Sequence, residues 1–205
     1  MFEDTYKMIA APAEALFKEK GSRFISLAYP VKKEEDAKSI IAEVKKKYYD
    51  ATHHCFAYSI GHIGTPCMRL NDDGEPSGTA ARPIYGQILS HDLKNILVIV
   101  VRYFGGTKLG VSGLINAYKE ATREVLATAR IEEHKIKEVH TVLFDYALMN
   151  PVMQALKNPA VNIKNNDFLN NLCAITFEVE LLKREEICLQ LKNIYGTKIK
   201  YIHTI

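Results

Sequence analysis

Six consecutive residues of this chain, Ile96-Leu97-Val98-Ile99-Val100-Val101, are apolar, and five of them are β-branched. Successive strand side chains point to opposite faces, so such a run offers no polar face to water and predicts a strand covered on both sides, central in its sheet. It is the longest apolar run in the sequence, whereas a bilayer span needs about 18 or more such residues. Next come Arg102-Tyr103-Phe104-Gly105-Gly106, two further glycines at Gly110 and Gly113, and a helical stripe of Leu114, Ala117, Tyr118, Ala121, Val125 and Leu126. The predicted unit is a buried strand, a glycine-rich loop and a helix beginning near Gly113.

Upstream, residues 14–31 read as a hairpin around Lys20-Gly21-Ser22. Ala37, Ile40, Ile41, Val44 and Tyr48 recur at helical spacing, and Lys45, Lys46 and Lys47 crowd the end where cations favour the helix dipole. Residues 55–60 read as a strand, 71–76 as a turn, and 79–89 as a helix interrupted early by Pro83. The short polar stretch 131–137 separates an expected domain 1–131 from a second, 137–205. That second part reads as strand 139–146, helix 149–157, strand 161–164, turn 165–171, strand 172–182, helix 184–193 and strand 197–202. The fold class expected is α+β: an N-terminal α/β domain followed by a small βαββαβ domain of ferredoxin-like plan. In its third strand Cys173, Ile175, Phe177, Val179 and Leu181 alternate with Ala174, Thr176, Glu178 and Glu180. The outer face carries acid and no stacking aromatics, which disfavours base recognition on that sheet.

The chain has 205 residues, 47% of them apolar and 25% charged, with 11 Gly and 7 Pro, which excludes a collagen-like or mainly disordered state. Lys plus Arg exceed Asp plus Glu by 27 to 24, and a net charge of +3 names no partner by itself. Met1-Phe2-Glu3-Asp4 has neither the basic start nor the apolar core of a secretion signal, and a cytoplasmic location is expected. Cys55, Cys67, Cys173 and Cys188 contain no C-x-x-C pair and read as reduced thiols.

Three constellations could carry chemistry. His53-His54-Cys55, with His62 and Cys67 downstream, has zinc-ligand residue types without zinc-ligand spacing. Neighbouring strand residues diverge, so at most two of the three adjacent ones can face one site. They could alternatively supply a base and a thiol nucleophile, or simply line a cleft or the core. In Asn71-Asp72-Asp73-Gly74-Glu75-Pro76-Ser77-Gly78-Thr79, three carboxylates within four positions could hold Mg²⁺ or act as acid and base. The same residues are also turn formers, with Ser77 or Thr79 placed to cap the next helix. The third stretch runs from Arg102 to Gly113 and matches neither G-x-G-x-x-G nor G-x-x-x-x-G-K-[ST]. Its glycines would let backbone N–H groups approach a ligand at a helix start, with Arg102 and Lys108 adding positive charge. A tight turn and close helix packing would need glycines equally.

The stretches Asp72-Asp73-Gly74-Glu75-Pro76-Ser77-Gly78-Thr79-Ala80 and Val101-Arg102-Tyr103-Phe104-Gly105-Gly106-Thr107-Lys108-Leu109-Gly110 resemble the signatures of the IMPACT family in its bacterial, YigZ-like form. His53-His54-Cys55 stands where that family carries a similar segment. The resemblance spans most of residues 1–130. It implies an N-terminal fold like that of a ribosomal small-subunit protein and of the penultimate domain of elongation factor G. Residues 137–205 resemble the family's C-terminal domain, similar to a ferredoxin-like domain of elongation factor G. Eukaryotic members restrain a translation-control kinase through an additional module, a role the resemblance does not extend to this chain.

The expected function is that of a translation-associated binding protein that presents RNA or a ribosomal component with a cleft formed by His53, His54, Asp72, Asp73, Glu75, Arg102, Gly105, Gly106, Lys108 and Gly110. Three carboxylates beside a phosphate would repel it unless a cation intervened, which is why Mg²⁺ at Asp72, Asp73 and Glu75 is a corollary. The alternatives are a hydrolase-like enzyme acting on a small phosphorylated or amino-acid-derived substrate, and a protein-docking module. All three require residues 72–75 and 102–110 to meet in space.

Overall fold

The computed structural model describes residues 4–61, 64–169 and 172–205. Along the chain the elements are β1 (Thr5–Ile9), β2 (Ala13–Glu19), β3 (Ser22–Pro30), α1 (Glu34–Lys47), β4 (His53–Ile60), β5 (Cys67–Asn71), α2 (Ala81–Ser90), β6 (Ile96–Tyr103), α3 (Gly110–Thr128) and β7 (Ile131–Lys135), then β8 (Lys137–Asp145), α4 (Met149–Leu156), β9 (Val161–Leu169), β10 (Leu172–Glu180), α5 (Arg184–Lys192) and β11 (Lys198–Thr204). The chain divides into two compact units, Tyr6–Glu133 and His134–Ile205, the latter together with the residues before Tyr6.

The first unit is built on a five-stranded sheet of order β2-β3-β6-β4-β5, antiparallel at every pairing. As its unbroken apolar run requires, β6 is central and coated on both sides. Ile96, Val98 and Val100 pack with Ile84, Ile88, Ala117, Tyr118 and Val125 of α2 and α3. Leu97, Ile99 and Val101 pack with Ala37 and Val44 of α1. The same alternation sends Arg102, one residue beyond the run, to the α2/α3 side, where it is buried.

Several local expectations are corrected. Pro83 does not interrupt α2: it is the third residue of the helix, within the first turn, whose N–H groups have no intrahelical acceptor in any case. The helix after the glycine loop begins at Gly110 rather than Gly113. The polar stretch read as a linker contains β7, which pairs with β1 as a two-stranded sheet. Residues 165–169, read as part of a turn, continue β9, because pairing along β10 outweighs the turn preference of Asn165 and Asn166. The remaining turn residues, Asn170 and Asn171, lie outside the described residues, as do Met1, Phe2, Glu3 and His62.

The second unit has a four-stranded sheet of order β11-β8-β10-β9, all antiparallel. One face carries Val142, Phe144, Cys173, Ile175, Phe177 and Val179 into a core closed by Val152 and Leu156 of α4 and Ile187 and Leu191 of α5.

Candidate functional site

The acidic turn begins where β5 ends. The Asn71 Oδ1 accepts the Asp73 amide at 2.7 Å, and the Asp72 carbonyl accepts the Glu75 amide at 2.9 Å. Asp73 and Gly74 both have positive φ, +43° and +88°. This tight reversal directs three adjacent acids to three different places.

Asp72 turns to α2. Its Oδ1 accepts the amides of Ala80 and Ala81 at 3.1 and 2.8 Å, and its Oδ2 that of Gly78 at 2.8 Å. The helix is therefore capped from the preceding turn and not by Ser77 or Thr79, and the negative charge sits at the positive end of its dipole. Asp73 faces the other side of the sheet, with Oδ1 on Lys45 Nζ at 2.8 Å and Oδ2 on the His54 amide at 2.7 Å. Burial opposes ionisation of Asp73, but the Lys45 ammonium and the His54 N–H together hold its carboxyl below the usual range.

Glu75 is the acid that reaches the glycine loop. Its side chain and that of Arg102 are 4% and 6% exposed, and Arg102 Nη1 donates to Glu75 Oε1 at 2.5 Å. Tyr118 of α3 donates its hydroxyl to the same oxygen at 2.8 Å. Phe24 and Phe104 lie under the guanidinium at 5.5 and 5.6 Å, while Arg102 Nε is buried without an acceptor among the described residues. The two stretches, 27 positions apart in sequence, thus meet at a buried ion pair. Arg102, expected to present free charge to phosphate, is instead neutralised by Glu75.

The histidines separate as strand alternation requires. The His53 Nδ1 donates to the Asp73 carbonyl at 2.8 Å, leaving Nε2 at 3.8 Å from Glu75 Oε1. His54 lies on the α1 side, with Nε2 on the Tyr48 carbonyl at 2.9 Å, and is not part of the cluster. Cys55 is fully buried, its thiol near the Asp72 carbonyl at 3.0 Å and the Tyr118 hydroxyl at 3.3 Å. Burial first, then the carboxylates of Glu75, Asp73 and Asp72, push that thiol up to about 12 against the pull of the Tyr118 hydroxyl. It is a packed neutral thiol and a poor nucleophile. Burial and the neighbouring Cys55 and Glu75 likewise drive Tyr118 far above the ordinary phenol range.

The loop glycines divide. Gly105 passes the β2–β3 turn so closely that a Cβ there would fall 1.9 Å from the Gly21 carbonyl carbon, and its amide donates to Ser22 Oγ at 3.1 Å. Its small size serves backbone contact. Gly106 and Gly110 have positive φ, +88° and +75°, and open space where a Cβ would stand. Leu109, at the N-cap of α3, makes no side-chain capping bond, and the first-turn N–H groups of a helix have no intrahelical acceptor.

These residues bound a pocket of about 410 Å³. Glu75 and Arg102 form its buried end, Pro76, Phe104, Leu109, Val111 and Leu114 its apolar walls, and exposed Lys108 and Gly110 lie on its rim. Phe104 and Val111 are themselves largely exposed. Because Asp72, Asp73 and Glu75 each engage different partners, the three have no common point at which to hold Mg²⁺. Among the described residues, no three His, Cys, Asp or Glu side chains gather as a metal-holding group. Tyr118, Ser22, Phe104 and Val111 were not foreseen. The legible signal for Tyr118 was a hydroxyl within an otherwise aliphatic helical stripe, which demands a partner when buried.

The family model described as the Impact N-terminal domain matches residues 20–126. IMPACT family member YvyE of Bacillus subtilis is 35% identical over 167 residues, covering 80% of this chain and 74% of that protein. IMPACT family member YigZ of Escherichia coli is 30% identical over 166 residues, 80% and 81% of the two chains. A solved structure described as that of a hypothetical protein superimposes with a TM-score of 0.76 at 26% identity, covering 98% of this chain and 99% of its own. No helix among the described residues is long and apolar enough to cross a membrane.

Proposed function

This chain belongs to the IMPACT family, and on that premise we propose that it is a cytoplasmic, translation-associated protein that binds RNA through the pocket between the acidic turn and the glycine loop. The observation that carries the reading is the composition of that pocket. It joins apolar walls and an exposed aromatic, Phe104, to a rim where Lys108 and the N-terminus of a 19-residue helix favour an anion. A ligand with an aromatic part and a phosphate suits both halves.

The hydrolase alternative lacks support at its key position. The Cys55 thiol is buried and protonated at neutral pH, and His54 is on the opposite face of the sheet. With Arg102 already paired, few phosphates can be engaged, so binding should depend on salt only shallowly. Each phosphate contact on a single strand lowers the slope of log affinity against log salt by about 0.7.

For the second unit we favour the ferredoxin-like, elongation-factor-G-like reading. Its fourth strand lies beside its first, then its third and its second, with both helices against one core. The test of the functional reading is ribosome co-sedimentation together with RNA binding across a salt series. The expected result is a shallow negative slope that becomes flatter in Lys108→Glu; an affinity indifferent to salt contradicts the reading.

A further inference from the structure

A cleft of about 650 Å³ opens in the second unit between α5 and the strand pair β8 and β11. Glu138 and His140 stand two positions apart on β8 and so share one face, while Arg184, Cys188 and Lys192 recur every fourth residue along α5 and line the same cleft. The His140 ring is held between its strand neighbours, Phe177 of β10 and Tyr201 of β11, with centroids 5.8 and 5.6 Å away.

Glu138 is engaged through both oxygens. Its Oε1 accepts from Arg184 Nη1 at 3.1 Å, and its Oε2 lies 2.8 Å from His140 Nε2. A carboxylate paired with a guanidinium only accepts, so Nε2 carries the hydrogen of that contact. The other ring nitrogen, Nδ1, is buried without a partner among the described residues, in a side chain only 7% exposed. A buried polar nitrogen left unpaired is costly, and the ring lines a cleft from which a partner can come.

Charge decides what that partner is. The titratable groups around His140 are Glu138 on its own strand, Arg184, Glu185, Cys188 and Lys192 on α5, and Tyr201 on β11. Both acids are taken by Arg184, and the Tyr201 hydroxyl is bonded to Thr204 Oγ1 at 2.7 Å. Burial pushes the Cys188 thiol up against the pull of Lys192, so it stays protonated at neutral pH. The exposed Lys192 side chain has no ion-pair or hydrogen-bond partner among the described residues, and its charge attracts an anion. An anion in turn draws a proton from solvent onto Nδ1, which makes that nitrogen a donor, while Glu138 stabilises the imidazolium from the Nε2 side. The volume lies in the range of small-molecule sites, and exposed Leu189 and Tyr201 offer a wall to an apolar or ring-bearing body.

We propose that this cleft binds a small phosphorylated molecule together with one proton, its phosphate accepting from His140 Nδ1 and Lys192 Nζ. The site lies wholly within the second unit and is independent of the RNA-binding reading, which concerns the first.

The experiment follows the histidine ring nitrogens of the full chain by nitrogen NMR while inorganic phosphate or adenosine monophosphate is added, with adenosine as the phosphate-free control. His140→Gln identifies the His140 signals. The Nδ1 signal of His140 should move toward the protonated position with both phosphates and stay in place with adenosine. Lys192→Ala, at an exposed position, should weaken adenosine monophosphate about tenfold without changing the other histidine signals. A His140 signal unmoved by either phosphate, or moved equally by adenosine, would overturn the proposal, as would an affinity unchanged in Lys192→Ala.

Discussion

The guanidinium of Arg102 and the carboxylate of Glu75 meet at 2.5 Å inside the first unit, joining the end of the central strand to the turn that precedes α2. Removing one partner strands a buried charge, for which losses of about 3–5 kcal/mol are typical. Urea denaturation of Glu75→Ala should show a loss of that order. The double variant Glu75→Gln with Arg102→Met keeps an acceptor for Tyr118 and buries no charge, so it should lie much closer to the parent. A loss below about 1 kcal/mol for Glu75→Ala would mean that the pair is not buried as described.

Asp72 supplies acceptors to three backbone amides at the start of α2. Asp72→Ala should therefore cost about 2 kcal/mol, at the upper end for a single cap. Ser77 is exposed and its side chain has no hydrogen-bond partner among the described residues, so Ser77→Ala should stay within about 0.5 kcal/mol of the parent. Thermal denaturation of the two variants side by side separates capping by Asp72 from capping within the Ser-Gly-Thr stretch.

Gly105 and Gly106 are neighbours with opposite requirements. In Gly105→Ala the new methyl would meet the backbone of Gly21 and Ser22, which must move, so a loss above about 3 kcal/mol is expected. Gly106→Ala meets only its own positive φ, at about 1–2 kcal/mol. Equal costs would indicate that the loop does not lie against the hairpin turn.

Cys55 provides a pH test. Its thiol ionises near 9 in a solvated chain and is pushed to about 12 when buried. Above pH 9 the unfolded state therefore loses a proton that the folded state keeps, and the stability due to this shift, fully present below pH 9, falls as the pH rises toward 12. Chemical denaturation between pH 8 and 11 should show that decline, reduced in Cys55→Ala relative to that variant's own starting stability. Alkylation of the native protein at pH 8 should modify exposed Cys67 and spare Cys55 and Cys173.

Parts of this arrangement were readable from residues alone. An apolar run without a polar face dictates a central strand, and counting one residue further places Arg102 on the same side as Val98 and Val100. The meeting of residues 72–75 with 102–110 was expected only because the functional readings required it; Arg102 was read as free charge for a phosphate, and its burial against an acid was not legible. Nor was the identity of that acid. That depends on the positive φ of Asp73 and Gly74, which sends Asp72 to α2, Asp73 to Lys45 and only Glu75 inward. β7 escaped notice for a related reason. Ile131-Glu132-Glu133-His134-Lys135 has no apolar alternation, and its strand character comes from pairing with β1, more than 120 positions earlier.

Photo-crosslinking of a short single-stranded RNA to the intact chain, followed by identification of the modified peptide, tests the central claim most directly. The account predicts adducts at residues 104–114, weakened by Phe104→Ala and by Lys108→Glu. Adducts confined to residues 137–205, or unchanged by both substitutions, would contradict it.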